Sequence, residues 1–130
     1  MIFLDTTYII ALINENDKYH KKALKLMEDV DYEKKMTNSV VFVESLNMLD
    51  KRSTQKDIDN IVNKLYQLDK IHCVNSANIK NSLNIFKFYN GSINFADCTI
   101  IDSMITYRIN EIISFDSDFD KVKGIKRIYI

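Results

Sequence analysis

Five acidic residues stand where a carboxylate is either a helix cap or a reagent. Asp5 directly follows the apolar run Ile2, Phe3, Leu4, and Asp116 directly follows Ile112, Ile113, Ser114, Phe115, with Asp118 two residues on. Asp97 opens a largely apolar stretch, and Glu44 lies among Val40, Val41, Val43 and Leu46, where burial would be costly without a cation or a hydrogen-bond partner. Brought together, four carboxylates suit a hard divalent cation. Mutual repulsion would raise some of their pKa values in the empty protein, whereas Mg²⁺ or Mn²⁺ would favour the ionised forms and organise water and phosphate oxygens. Each acid also has a plainer reading: Asp5 as a helix cap, Asp97 in a capping box with Asn94, Asp116 as the start of an Asx turn, Glu44 as one half of a rim ion pair.

The elements that must position these acids follow from hydrophobic periodicity. Residues 2–4 predict a strand and 6–14 a helix, so Asp5 falls at their junction. Residues 19–30 predict a surface amphipathic helix with Ala23, Leu24, Met27 and Val30 inward. A short strand near 34–37 leads to a helix capped by Asn38 or Ser39 that carries Glu44. A further amphipathic helix over 54–70 uses Ile58, Ile61, Val62, Leu65 and Leu68 and precedes a strand at 71–74. Ser76 caps a helix reaching toward Tyr89, Asn90 and Gly91 break it, and 95–109 form a mostly buried helix with Asp97 in its first turn. Strand 112–115, an acidic loop at 116–121 and an edge strand over 126–129 finish the chain. These are βα units around a small parallel sheet. In such sheets ligands bind beyond the carboxyl ends of the strands, so Asp5 and Asp116 are expected on one side.

Composition narrows the partners. The 130 residues are 46% hydrophobic, enough for one conventionally cored domain spanning 1–130. Eighteen basic and eighteen acidic residues cancel, so no overall positive field draws the protein to phosphate backbones, and any nucleic-acid contact must be local. Cys73 and Cys98 have no CxxC spacing, which disfavours a disulfide framework or structural zinc and fits a reduced, cytoplasmic setting. No apolar run is long enough for a membrane span. Asp116, Asp118 and Asp120 imitate a calcium loop, but Lys121 stands at its glycine position and Arg127 at its final glutamate. Covalent phosphotransfer is disfavoured because no threonine or valine suited to an aspartyl-phosphate motif follows the DxD. There is no glycine-rich phosphate loop and no cysteine-nucleophile arrangement with His20 or His72.

The stretches FLDTTYIIAL, VVFVESLNML, INFADCTIIDS and ISFDSDFDKVKGI, in that order, resemble those of PIN-domain nucleases, specifically compact VapC-type toxins. The resemblance spans nearly the whole chain. It implies a three-layer α/β/α sandwich with a small parallel sheet, and a metal pocket lined by Asp5, Glu44, Asp97 and Asp116, with Asp118 at an additional acidic position. Thr6 or Thr7 and Ser114 match hydroxyls that orient water or phosphate. His20 resembles a family histidine but reads better as a packing residue. Asp102 departs from the pattern, standing where a small residue is more usual.

The reading is therefore a Mg²⁺- or Mn²⁺-dependent endoribonuclease using one or two ions, the toxin of a toxin–antitoxin pair, paired as a homodimer and blocked by a cognate antitoxin. Asp5, Asp97 and Asp116 are the primary ligands, with Glu44 coordinating directly or through water and Asp118 in the outer shell. Lys51, Arg52, Arg108 and Lys123, with tyrosines for stacking, are the expected RNA contacts. Alternatives are a noncatalytic PIN-like scaffold that binds RNA or protein, and a structure-specific DNA nuclease.

Overall fold

The computed structural model describes residues Met1–Ile130. Five short strands, β1 (Ile2–Leu4), β2 (Lys35–Asn38), β3 (Lys70–His72), β4 (Glu111–Ile113) and β5 (Lys126–Ile128), pair in the order β3-β2-β1-β4-β5. Every pairing is parallel, with Phe3 opposite both Met36 and Ile112. The central strand β1 is wholly buried, while β3 and β5 place Lys70 and Lys126 at the exposed edges.

Six helices connect the strands: α1 (Thr6–Ile13), α2 (His20–Asp29), α3 (Ser39–Asn47), α4 (Gln55–Tyr66), α5 (Ser76–Phe88) and α6 (Phe95–Thr106). From β1 the chain steps to β2 and β3 in one direction, then returns across the sheet to β4 and β5 in the other. Right-handed crossovers running in opposite directions put α1–α4 on one face and α5–α6 on the other, giving the three layers expected. The reversal falls between β1 and β4, so the chain diverges to opposite faces just beyond Leu4 and Ile113. A crevice opens at such a point in parallel sheets. Asp5 is the first residue after β1, and its N–H donates to the Ile113 carbonyl of β4 at 3.1 Å.

Side-chain caps set most helix starts. Asn38 accepts from the Val41 N–H, Thr54 and Asp57 form a reciprocal capping box, and Asn75 and Asn78 form another. The α5 cap is thus Asn75 rather than Ser76, because only Asn75 has a partner three residues on that reaches back. Asn90 (φ 53°) and Gly91 (φ 72°) together turn the chain out of α5. Helix α6 ends before 109: Arg108 adopts φ 55°, and the Ile109 N–H reaches back to the Met104 carbonyl.

Twenty-four buried apolar residues form one cluster around the sheet. Its α2 contribution differs from the sequence expectation. Ala23, Leu26 and Val30 face inward, whereas Leu24 and Met27 are 39% and 38% exposed. Ala23 and Val30 belong to both stripes, and where α2 packs against α1 it is Leu26 that turns inward in place of Leu24 and Met27. In α4, Ile61 and Leu65 are buried and Ile58 is exposed. Cys98 is buried and Cys73 exposed; both are free. No helix is long and apolar enough to cross a membrane.

The rotated α2 face makes a direct prediction. Leu26→Ala should lower unfolding free energy by about 2–4 kcal/mol, while Leu24→Ala should cost less than about 1 kcal/mol. Urea denaturation of the two variants checks it, and equal losses would put the wrong stripe inward.

Candidate active site

Asp5 is both cap and hub. With β1 ending at Leu4, its extended backbone starts α1, and its Oδ1 accepts from the Thr6 N–H at 2.7 Å. Its Oδ2 accepts from the Thr7 hydroxyl at 2.8 Å and from the Ser114 hydroxyl at 2.6 Å. Only 3% of the residue is exposed. Burial raises its pKa, these three hydrogen bonds counteract it, and the charge of Asp116 adds to the rise.

The two hydroxyls tie neighbouring strand ends together. Ser114 Oγ also accepts from the Asp116 N–H at 3.0 Å, and Thr7 Oγ1 accepts from the Phe115 N–H at 3.0 Å. Thr6 uses its hydroxyl differently, donating to Glu44 Oε1 at 3.0 Å. Glu44 reaches in from α3 and is half-buried, with the Thr6 hydroxyl as the hydrogen-bond partner that such a position requires. Adjacent residues on a helix point about 100° apart. Val41 is buried, while Val43 turns to solvent. Burial nevertheless raises the Glu44 pKa; the Thr6 bond opposes this and Asp5 reinforces it.

Asp97 is the least satisfied of the acids. Asn94 caps α6 by accepting from the Asp97 N–H at 2.9 Å, but the capping box is not closed by the Asp97 side chain. Instead Oδ2 is buried without a hydrogen-bond partner. Its pKa is pushed up to about 8, first by burial and then by the charges of Asp5, Asp116, Glu44 and Asp118. The charges of the other four acids thus reach Asp97.

Asp116 begins the Asx turn expected, accepting from the Asp118 N–H at 2.9 Å at the head of a 3₁₀ turn over Ser117–Lys121. Asp118 itself pairs with Lys121 at 3.0 Å, so part of its charge is already balanced. No three acidic, histidine or cysteine side chains approach closely enough to ligate one ion directly. A surface cavity of about 480 Å³ between the end of α1 and the α3–α4 turn contains none of the five acids.

Sequence reasoning missed Arg127. Its guanidinium makes a two-point contact with Asp120 at 3.0 and 2.9 Å, and a third N–H donates to the Ser114 carbonyl at 3.2 Å. A basic residue in an edge strand carries no periodic signal for such a role. His20, by contrast, fulfils the packing role expected, its Nδ1 lying 2.7 Å from the Ala11 carbonyl. Asp102 is buried away from the main cluster, near Asn81, Asn78 and His72, with Oδ2 unpartnered.

The basic residues expected to hold RNA are not gathered here. Arg52 pairs with Asp50 in the turn after α3, and Lys51 is its exposed neighbour. Arg108 lies beyond the far end of α6, a helix about 18 Å long with Asp97 in its first turn. Lys123 lines a cavity with Phe88 and Ile105.

Comparison with known proteins agrees with this architecture. No curated protein sequence matches the chain. Among solved structures, it is similar to the VapC20 toxin of Mycobacterium tuberculosis, which cleaves the sarcin-ricin loop, at 22% identity and a TM-score of 0.81, over 93% of this chain and 94% of that one. It is also similar to VapBC2 of Rickettsia felis bound to a promoter DNA fragment, at 13% identity and a TM-score of 0.73, over 98% of each chain. FitAcB of Neisseria gonorrhoeae gives 14% identity and a TM-score of 0.72, over 98% of this chain and 96% of that one. The PIN domain profile matches residues 2–125, and the chain therefore belongs to the PIN domain family, with the fold of the VapC toxins.

Proposed function

We propose that this protein is a divalent-metal-dependent endoribonuclease, the toxin of a toxin–antitoxin pair, that hydrolyses RNA phosphodiester bonds at Asp5, Glu44, Asp97 and Asp116. The observation that carries the reading is the orphaned Oδ2 of Asp97, buried and facing the negative charges of four other acids. A carboxylate so placed is destabilising until a cation joins it. No three of these acids are close enough to ligate one ion by themselves, so a bound Mg²⁺ or Mn²⁺ would keep several waters beside one or two carboxylates.

Asp97 and Asp116 offer the freest carboxylate oxygens and would hold the metal, with Asp5 presented behind them by Ser114 and Thr7. When bound, the metal supplies Lewis acidity and a water of lowered pKa. Glu44, oriented by Thr6, stands at the rim as an acceptor for a proton from water. Asp118, held by Lys121, adds negative potential from the outer edge. Thr7 and Ser114 keep Asp5 in one rotamer; their hydroxyl protons are directed at its Oδ2.

RNA as substrate and an antitoxin as inhibitor are carried over from the VapC20, VapBC2 and FitAcB similarities. Pairing of two copies belongs to the same reading, with exposed Leu83, Phe88 and Ile105 as apolar material for an interface.

Two predictions follow from the electrostatics. Purified protein, freed of any antitoxin, should cut labelled single-stranded or loop RNA in Mg²⁺ or Mn²⁺, with no cleavage in EDTA and at least about a hundredfold loss for Asp97→Asn or Asp116→Asn. RNA binding without turnover in either metal would favour a scaffold, and preferential cutting of DNA would name a different nuclease.

The second prediction concerns stability. Folded, metal-free protein keeps the Asp97 proton up to about pH 8, whereas the unfolded chain releases it near the ordinary value of 3.8. Between these values the unfolded state binds fewer protons, so stability should fall as pH rises through that window. Asp97→Asn should flatten the slope and raise the Tm in EDTA at neutral pH by about 5 °C, a gain expected to vanish near pH 4. Thermal scans across pH test this, and an unchanged or lowered Tm at neutral pH would contradict it.

A further inference from the structure

The acids that would hold a metal repel the phosphate backbone that must reach them, and the protein has no net positive charge to compensate. Cations close to the site are mostly committed. Lys121 pairs with Asp118 and Arg127 with Asp120. Lys18, Lys21 and Lys22, at the start of α2, are exposed and take part in none of the protein's ion pairs.

Two of these lysines are positioned rather than loose. Lys18 Nζ lies over the Tyr19 ring, 4.9 Å from its centroid, and Lys22 Nζ lies over the same ring at 5.9 Å. The ring stacks on Phe115 with centroids 4.4 Å apart and planes 9° from parallel, leaving no room for an ammonium between them. The lysines therefore occupy the other face. A bond from the Tyr19 N–H to Asp17 Oδ1 at 2.8 Å fixes the turn that presents both Lys18 and Tyr19.

Phe115 links this platform to the acids. It immediately precedes Asp116, and its N–H donates to the Thr7 hydroxyl, which itself donates to Asp5. Lys21, Lys22 and Lys25 continue the positive surface around a shallow cavity of about 320 Å³ that also touches Ile130, just beyond β5. Positive charge thus stands beside the carboxyl ends of β4 and β5, one aromatic stack away from the acids.

Resting on the nuclease reading above, we infer that Lys18 and Lys22, carried on the Tyr19–Phe115 stack, form a phosphate-binding ledge for the single-stranded RNA substrate. The ledge seats a backbone phosphate neighbouring the one that faces the acids. An aromatic ring suits this purpose because it orders an ammonium without neutralising it, as a carboxylate partner would. Lys18 and Lys22 are positioning residues: they fix where the strand lies and leave the chemistry to the acids.

The test measures binding of a short fluorescein-labelled single-stranded RNA to the wild-type protein in EDTA, by anisotropy over a range of salt, and its cleavage in Mg²⁺. The Lys18→Ala, Lys22→Ala double variant is compared with a Lys56→Ala, Lys64→Ala control that removes the same charge from α4. Circular dichroism verifies the fold of each. The ledge variant should bind about tenfold more weakly, with a log–log salt slope shallower by about 1. It should show a raised KM with kcat kept within about twofold, while the control stays near wild type. Wild-type cleavage with unchanged affinity and KM in the ledge variant, or equal losses in the control, would overturn the ledge alone. A wild type that neither binds nor cuts RNA would remove the ribonuclease reading, and the ledge with it.

Discussion

Asp5 is tolerable where it stands only because three donors from two parts of the chain converge on one carboxylate. It is 3% exposed at the end of the central strand, and an unpaired charge there would cost several kcal/mol. The Thr6 N–H comes with the helix start, but the Ser114 hydroxyl comes from the end of β4, more than a hundred residues away in sequence. Satisfying Asp5 therefore requires β1 and β4 to pair in their observed register, with Leu4 beside Ile113. The same Ser114 hydroxyl accepts from the Asp116 N–H, so the bond that stabilises the first acid also positions the fourth. Fold and site share a single hydrogen-bonded knot at the point where the sheet changes direction.

Around that knot the acids divide by environment. Asp5 has all its neighbours' donors; Asp97 has a burial cost and no donor for Oδ2. The first is held by its partners, and the second keeps an unpartnered oxygen. Arg127 limits the repulsion without filling the site. Paired with Asp120 and bonded to the Ser114 carbonyl, it brings a fixed positive charge behind the 3₁₀ turn, where it is felt by Asp116 but is held away by its own carboxylate partner. Protein cations close enough to neutralise Asp97 would compete with any metal there. Their placement on the outer side of the turn leaves the inner face negative.

Much of this was legible because strands and helix starts are local. Short apolar runs ending at Asp5 and just before Asp116 predicted their junction positions, and the five-strand parallel sheet followed from the βα alternation. What local pattern cannot carry is orientation about a helix axis or pairing across the chain. Leu24 and Leu26 are equally apolar, and only tertiary packing distinguishes them. Glu44 among valines called for a partner that its neighbours in sequence could not name, and Thr6, 38 residues away, supplies it. The buried helix stretch around Asp102, the residue that departs from the family pattern, also carries Thr99 and Ser103. Its hydroxyls find partners that only tertiary structure brings: Ser103 meets His72 and Asn38, and Thr99 also meets Asn38. Asp102 itself keeps one unpartnered oxygen, for which no physical reason is evident.

Net neutrality conceals a strongly uneven surface. Charge balance over the chain removes long-range attraction to nucleic acid, but at the site's end of the molecule Lys121 and Arg127 are paired with acids while Lys18, Lys21 and Lys22 are not. Acids gather beyond β1 and β4, and unpaired lysines gather at the start of α2, with stacked Tyr19 and Phe115 between. Such a boundary orients a charged polymer more than it attracts one. A strand lying wholly over the acids is repelled, and one lying wholly over the lysines brings no phosphate to them. Under the proposed function, only a strand crossing the aromatic stack would satisfy both, and the Tyr19–Phe115 contact would divide holding from reacting.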